Sequence, residues 1–233
     1  MDDFFASSRK LYRNLASSLR EFQFTRNHPD YPHYCIVSHA SYSPWRNDLD
    51  FLAAYERIRD STLIDIYRCH EIWKQIGQLA HTPGDILEVG VWRGGSSALI
   101  ALALAHFKIE KKVYAADTFS GVVKAGPHDT RYAGGEHSDC SESDVRHFLS
   151  GVSDRVEVLS GIFPEDFENH PATTARLALT HIDVDTYDSA RDVLMNVWPR
   201  TSTGGLVIFD DYGFWGCEGI TKLVNDEPLA DAR

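Results

Sequence analysis

Two short acidic runs, His181-Ile182-Asp183-Val184-Asp185 and Phe209-Asp210-Asp211-Tyr212, each close an apolar segment with the length of a buried strand. If those segments are neighbours in a parallel sheet, Asp183, Asp210 and Asp211 converge at its C-terminal edge, with Asp185 close by. Like charges that near repel strongly unless something compensates. A hard divalent cation does so, and Mg2+ takes carboxylate oxygens while keeping positions open for a substrate. The competing account, strongest for Asp185, is that these acids cap helices or lie solvated in loops. A cation there would make a neighbouring hydroxyl more acidic, with Asp183 or a loop histidine as the base.

A second constellation lies upstream. Residues 84–97 read GDILEVGVWRGGSS, an apolar run that breaks into a glycine-punctuated turn and then a small-residue helix. Strand, glycine turn and helix hold nucleotide-like cofactors beyond the C-terminal end of the strand. A dinucleotide fingerprint wants glycine where Trp92 stands, and Glu88 at the lip of the strand would repel phosphate but suit an ammonium group. A nicotinamide-dependent sugar oxidoreductase is therefore the weaker reading. Asp117 ends the next apolar run, VYAAD, where a carboxylate can accept both hydroxyls of a ribose; a helix N-cap is the alternative. Trp92 fits packing over a cofactor and plain core packing equally.

The elements that must position these residues follow from periodicity. DILEVG, KVYAAD, RVEVLSG, LALTHIDVD and GGLVIFDD read as strands. Helices are predicted over 94–107, over 141–149 behind the capping pattern Ser141-x-x-Asp144, over 187–198 and over about 214–226. Strands alternating with helices imply an α/β fold with a parallel, Rossmann-like sheet covered on both faces. Upstream, an amphipathic helix is predicted over 3–22, an irregular connector over 27–47, and helices over 48–60 and 61–80, the last capped by Ser61 or Thr62. The organisation expected is one domain, with a helical cap region at 1–81 and a catalytic core at 82–233. Residues 120–140 fit neither period and read as a substrate loop or a flexible insertion. His128, Glu136 and His137 in it can orient or deprotonate an acceptor hydroxyl, or simply be solvated.

Composition narrows the partners. The 233-residue chain carries 23 Lys and Arg against 34 Asp and Glu, a net charge of −11, which argues against nucleic acid as the main partner. No apolar run approaches the ~20 residues of a membrane span, and charges interrupt every apolar run of the N-terminus, unlike a signal peptide. The four cysteines are scattered without a CxxC pair, as expected of free thiols in a reducing cytoplasm. A small-molecule substrate and a bound cation are compatible with all of this.

The pattern Glu88-x-Gly90-x-x-x-Gly94 resembles motif I of the class I S-adenosylmethionine-dependent methyltransferases. In that motif the acidic residue serves the amino end of the methionine, and the glycines admit its carboxypropyl arm. GDILEVGVWRGGSS, VYAADTFSGV and HIDVDTYDSARDVLMNVWPRTSTGGLVIFDDYGFWGC together resemble the macrocin O-methyltransferase family, over about residues 82–222. The resemblance implies methylation of a sugar hydroxyl in antibiotic biosynthesis, with S-adenosylmethionine and Mg2+. It implies Asp183, Asp210 and Asp211 as metal ligands, Asp183 also as base, and Glu88, Gly90 and Asp117 as cofactor contacts; His137, read from the loop alone, is the second catalytic candidate. Trp92, Gly94, Thr118 and Asp183 join that contact set, and the turn Gly161-Ile162-Phe163 offers apolar surface to an adenine. The chain departs from the family at Thr118, usually Ser, and at Gly121-Val122-Val123, usually Gly-Leu-Pro. The sequence stops at Arg233, where class I methyltransferases continue with an antiparallel strand pair: either the sequence is truncated or the sheet lacks that hairpin. That departure motivates a rival reading, a cofactor-binding protein without turnover. Homo-oligomerisation is left open.

Overall fold

The computed structural model describes residues 10–15, 18, 42–152 and 154–226. Of the helix predicted over 3–22, only 10–15 and 18 are described, and these are helical; most of the connector predicted over 27–47 lies outside the described residues. The described residues from Trp45 to Asp226 form one compact unit.

That unit is built on five parallel strands: β1 (Asp85–Val89), β2 (Val113–Asp117), β3 (Val156–Ser160), β4 (Leu177–Ile182) and β5 (Thr201–Phe209), in the order β3-β2-β1-β4-β5. The reversal beside β1 is where such sheets open a crevice for ligands. Strand β1 lies at the centre, and Leu87 and Glu88 on it are both fully buried. The five predicted strands all appear, and β4 and β5 are neighbours as expected.

Helices α1 (Leu49–Ile58), α2 (Ile66–Gln78) and α3 (Gly95–His106) pack on one face. Their Phe51, Trp73, Leu99 and Leu104 share a hydrophobic cluster with Ile86 and Leu179 of the sheet. Fully burying side chains of this size contributes roughly 1.5–3 kcal/mol each. Helices α1 and α2 thus belong to the same core as the strands that follow them. Helix α3 is buried almost all round, as its uniformly apolar sequence requires. Helix α4 (Glu142–Ser150) opens with the Ser141 hydroxyl accepting the Asp144 N–H at 3.2 Å, as the capping pattern predicts. Beyond it lie the short α5 (Pro171–Thr174), then α6 (Tyr187–Val197) and α7 (Glu218–Asp226). The last two cover the opposite face, where Leu194 and Leu223 meet Leu87 and Leu177.

One boundary differs usefully from expectation. Neither Ser61 nor Thr62 caps α2: residues 59–61 form a 3-10 turn, and the cap is Asp65, which accepts the Arg68 N–H at 3.0 Å. The later start puts Arg68 in the first turn of α2, facing the end of β5. Among the described residues no helix is long and apolar enough to cross a membrane.

Candidate active site

A cavity of about 290 Å3 lies over the C-terminal ends of β1, β2, β4 and β5, at the small end of ligand-pocket sizes. Its floor is the turn after β1. Gly90 sits at φ +91°, and a Cβ there would lie 1.6 Å from the Asp183 carbonyl oxygen, so the close approach of β1 and β4 demands glycine. Gly94, also left-handed, is the N-cap residue of α3; it packs toward Val145 and Phe148 rather than the cavity.

Asp117 holds this turn in shape. Its Oδ2 accepts the N–H groups of Val91 and Trp92 at 2.7 and 2.8 Å, and its Oδ1 accepts that of Phe119 at 2.7 Å. The carboxylate is therefore fixed in the cavity wall, and it is no helix cap. Trp92 lines the cavity at φ +47° and its indole donates to Asp139 at 2.7 Å, while Arg93 bonds the same carboxylate at 2.7 Å. Thr118, Gly161, Ile162 and Phe163 complete the wall on the β2–β3 side.

Glu88 does not stand at the lip. It is fully buried and absent from the cavity wall; its carboxylate accepts the Ser97 hydroxyl and lies 2.8 Å from Nδ1 of His181. The reason is register: Glu88 pairs with His181 across β1 and β4, so both side chains emerge on the face covered by α3. The ammonium contact expected of Glu88 is not available in this geometry.

The strand-end acids meet as adjacency predicts, but they divide into two groups. His181, Asp183 and Asp210 offer donor atoms all within 4.8 Å of one another, and Asp185, Asp211 and Cys217 do the same beside them. Side chains alternate across a strand, so Asp210 turns toward α2 and Asp211 toward the face that carries Cys217. Asp211 there accepts the Asp185 N–H at 3.1 Å and the Cys217 thiol at 3.5 Å. The expected trio of Asp183, Asp210 and Asp211 is thus split, with Asp183 and Asp210 together and Asp211 next door.

Burial, followed by the charges of Asp210 and Asp211, raises the Asp183 pKa well above the carboxylate range. Burial and the carboxylates of Asp185 and Asp210 push Asp211 up to about 7. Burial alone would lower the His181 pKa, but Asp210 and Glu88 on its two sides raise it well above the usual value. Arg68 supplies positive charge: it bonds Asp210 Oδ2, approaches the Asp210 carbonyl at 3.3 Å, and is held by Asp65 at 2.8 Å. Sequence reasoning missed Arg68 and passed over His181. For His181 a signal existed, since it stands two residues before Asp183 and shares its face.

The 121–140 segment is a built wall. Its Val123 carbonyl accepts the hydroxyls of Thr186 and Ser189 at 2.9 and 3.0 Å, and Asp129 accepts the Tyr187 N–H at 2.9 Å. Tyr132 and His137 line the cavity, with ring centroids 5.9 Å apart. Burial and the Asp185 carboxylate that its hydroxyl bonds raise the Tyr132 pKa. His128 instead meets the Tyr187 ring at 4.6 Å and an interplanar angle of 53°, and Glu136 accepts the N–H groups of Ala133 and Gly134 within its own loop.

Known proteins resemble this chain in sequence and in fold. The chain is 36% identical over 146 residues to the 8-demethyl-8-(2,3-dimethoxy-alpha-L-rhamnosyl)-tetracenomycin-C 4'-O-methyltransferase of Streptomyces olivaceus, an alignment covering 58% of this chain and 55% of that protein. It is 33% identical over 166 residues to the demethyldecarbamoylnovobiocin O-methyltransferase of Streptomyces niveus, covering 65% and 62%. The chain therefore spans less than two thirds of the length of these curated relatives. The solved structure of the O-methyltransferase NovP superposes with a TM-score of 0.60 at 32% identity, over 71% of this chain and 72% of that one. Residues 59–227 match the family described as Macrocin-O-methyltransferase (TylF), and the chain belongs to that family.

Proposed function

We propose that this protein transfers a methyl group from S-adenosylmethionine to a sugar hydroxyl of a natural product, with a divalent cation such as Mg2+ beside the acceptor. The observation that carries the reading is one cavity with two chemistries. Gly90, Asp117 and Phe163 line one part of it, and Asp183 and Asp210 the other. The family membership and the printed activities of the relatives support the same class of reaction.

The residues present fit both groups. Gly90 leaves room for a cofactor against the backbone, Asp117 offers a fixed carboxylate for ribose hydroxyls, and Ile162 and Phe163 offer apolar surface. Helix α3 has no side-chain cap and reaches the cavity through Ser96, which suits the methionine carboxylate. For the cation, the donor set is the half-buried carboxylates of Asp183 and Asp210 with the buried His181 imidazole beside them. The cation supplies Lewis acidity that makes a nearby hydroxyl easier to deprotonate, and the sulfonium supplies an electrophilic methyl.

The chain's own residues do the rest. Asp183, on the cavity wall, receives the acceptor's proton. With S-adenosylmethionine bound, these residues would hold the acceptor oxygen in line with the methyl carbon, whose bonding pair to sulfur would leave with the sulfur. Arg68 keeps Asp210 in place. Trp92, Tyr132 and His137 bound the acceptor side and exclude water, with His137 able to orient the hydroxyl. Free thiols at Cys69, Cys140 and Cys217 favour a reducing compartment, the cytoplasm. The test is Asp210→Ala, assayed for methyl transfer to glycosylated acceptors and, by calorimetry, for S-adenosylmethionine binding. Loss of transfer with cofactor affinity within about threefold is expected. Full activity in that variant, or in excess chelator, refutes the cation's role.

A further inference from the structure

A second cavity, of about 280 Å3, lies where β4 and β5 begin. It is the opposite end of the sheet from Asp183 and Asp210, about 20 Å away at roughly 3.3 Å for each of the six residues of β4. A break in the ladder shapes it. Between the pairs Leu177–Thr201 and Leu179–Leu206, β4 advances two residues and β5 five. The surplus bulges out over 202–205, with Gly204 at φ +80°. Bulges gather at sheet edges and beside functional sites. Arg176, Arg200 and Thr203 line the cavity. Arg200 is half-buried, and its guanidinium bonds only neutral oxygens: the carbonyls of Ala172, Ala175 and Asn196 and the Asn196 side chain. Four of its five N–H groups are so engaged, which leaves one on Nη1. Burial alone pushes its pKa down to about 10, with no acid near enough to offset it. At Arg68, by contrast, Asp210 and Asp65 outweigh burial. Arg176 is exposed, and its guanidinium has no ion pair or hydrogen bond among the described residues. The neighbouring hydroxyls of Thr201 and Ser202 are spent on the Val197 and Pro83 carbonyls at 3.0 and 2.6 Å, whereas that of Thr203 is unengaged among the described residues.

We infer that this cavity binds a phosphate group, held by Arg176 and the remaining N–H of Arg200 with the Thr203 hydroxyl beside them. The chain has 34 acidic residues to 23 basic ones, yet these two arginines share a cavity and no carboxylate, so their counter-charge comes from outside. Guanidinium donors match phosphate oxygens in pairs, and two such groups suit a doubly charged ligand. Free phosphate and a phosphomonoester present the same chemistry. The site stands apart from methyl transfer. Its occupant would bridge the bulge of β5 to the ends of α5 and α6 that Arg200 already joins, and would stabilise the fold by binding the native state alone.

The experiment titrates the full chain with inorganic phosphate, and separately with glycerol 3-phosphate, at an ionic strength held constant with sodium chloride. Calorimetry reads binding and scanning fluorimetry reads Tm. Saturable binding and a Tm that rises with phosphate are expected. Phosphate also stabilises proteins by exclusion from their surface, an effect that variants share, so a variant decides. Arg176→Met removes an exposed side chain outside the core. It should weaken binding about tenfold or more and leave Tm in chloride unchanged. Arg200→Met should abolish binding, with some loss of stability. Tighter binding of phosphate assigns the site to the free ion, and tighter binding of glycerol 3-phosphate to a phosphomonoester; either supports the inference when Arg176→Met weakens it. No saturable binding in wild type, or equal affinity in Arg176→Met, overturns it. Displacement of phosphate by S-adenosylhomocysteine would put the anion at the glycine turn and overturn it as well.

Discussion

Replacing Gly90 with alanine asks whether the approach of β1 to β4 builds the site. The added Cβ would stand 1.6 Å from the Asp183 carbonyl oxygen, at φ +91°. Left-handed strain costs about 1–2 kcal/mol, and forcing a methyl into a filled space about 1–3 kcal/mol, so the expected loss is roughly 2–5 kcal/mol. For a chain of this size each kcal/mol moves Tm by about 2–4 °C, a drop of roughly 4–20 °C. Gly204→Ala is the internal control: it has φ +80° with nothing within 4 Å of where the methyl would stand, and should cost only the strain. Because the Gly90 methyl displaces the backbone of Asp183, it should also weaken S-adenosylmethionine and Mn2+ binding together, which Gly204→Ala should not. Scanning fluorimetry and calorimetry on both variants read these effects. Equal Tm losses, or undisturbed ligand binding in Gly90→Ala, would refute the reasoning.

Three further perturbations have clear outcomes. Asp117→Ala leaves the N–H groups of Val91, Trp92 and Phe119 without their acceptor. At about 1–3 kcal/mol for each buried group left unpaired, calorimetry should show S-adenosylmethionine affinity falling by at least tenfold, while an unchanged affinity would count against a wall role. Trp73→Ala, in the core between α1 and α3, should destabilise by about 3–5 kcal/mol in urea unfolding, without changing which metals compete. Burial pushes the Cys69 thiol from 9.0 up to about 12, so the unfolded chain loses this proton first as pH rises. That contribution to stability is intact below pH 9 and is lost progressively toward pH 12. A Cys69→Ala chain should lose less stability than wild type across that window in chemical denaturation.

The strands and helices were legible because each carries its own period, and the adjacency of β4 and β5 followed from chain order and handedness. The fate of Glu88 was not. Strand β1 is buried on both faces, so it has no polar side to show which way an acidic residue points. Only its pairing with His181 in β4, 93 positions away, reveals the partner that makes burial tolerable. Asp210 and Asp211 were read as one unit because they are consecutive, although the two-residue period of a strand already sends them to opposite faces. Arg68 had no local signal. Its contact with Asp210 spans 142 positions and depends on α2 starting at Asp65 rather than four residues earlier.

The most direct test is a crystal of the protein grown with S-adenosylhomocysteine and Mn2+, with anomalous diffraction collected at the manganese edge. A single anomalous peak is predicted between the carboxylates of Asp183 and Asp210, with the thioether in the same cavity and the ribose on Asp117. A peak elsewhere, or a nucleoside bound away from the turn at Gly90, would contradict the account.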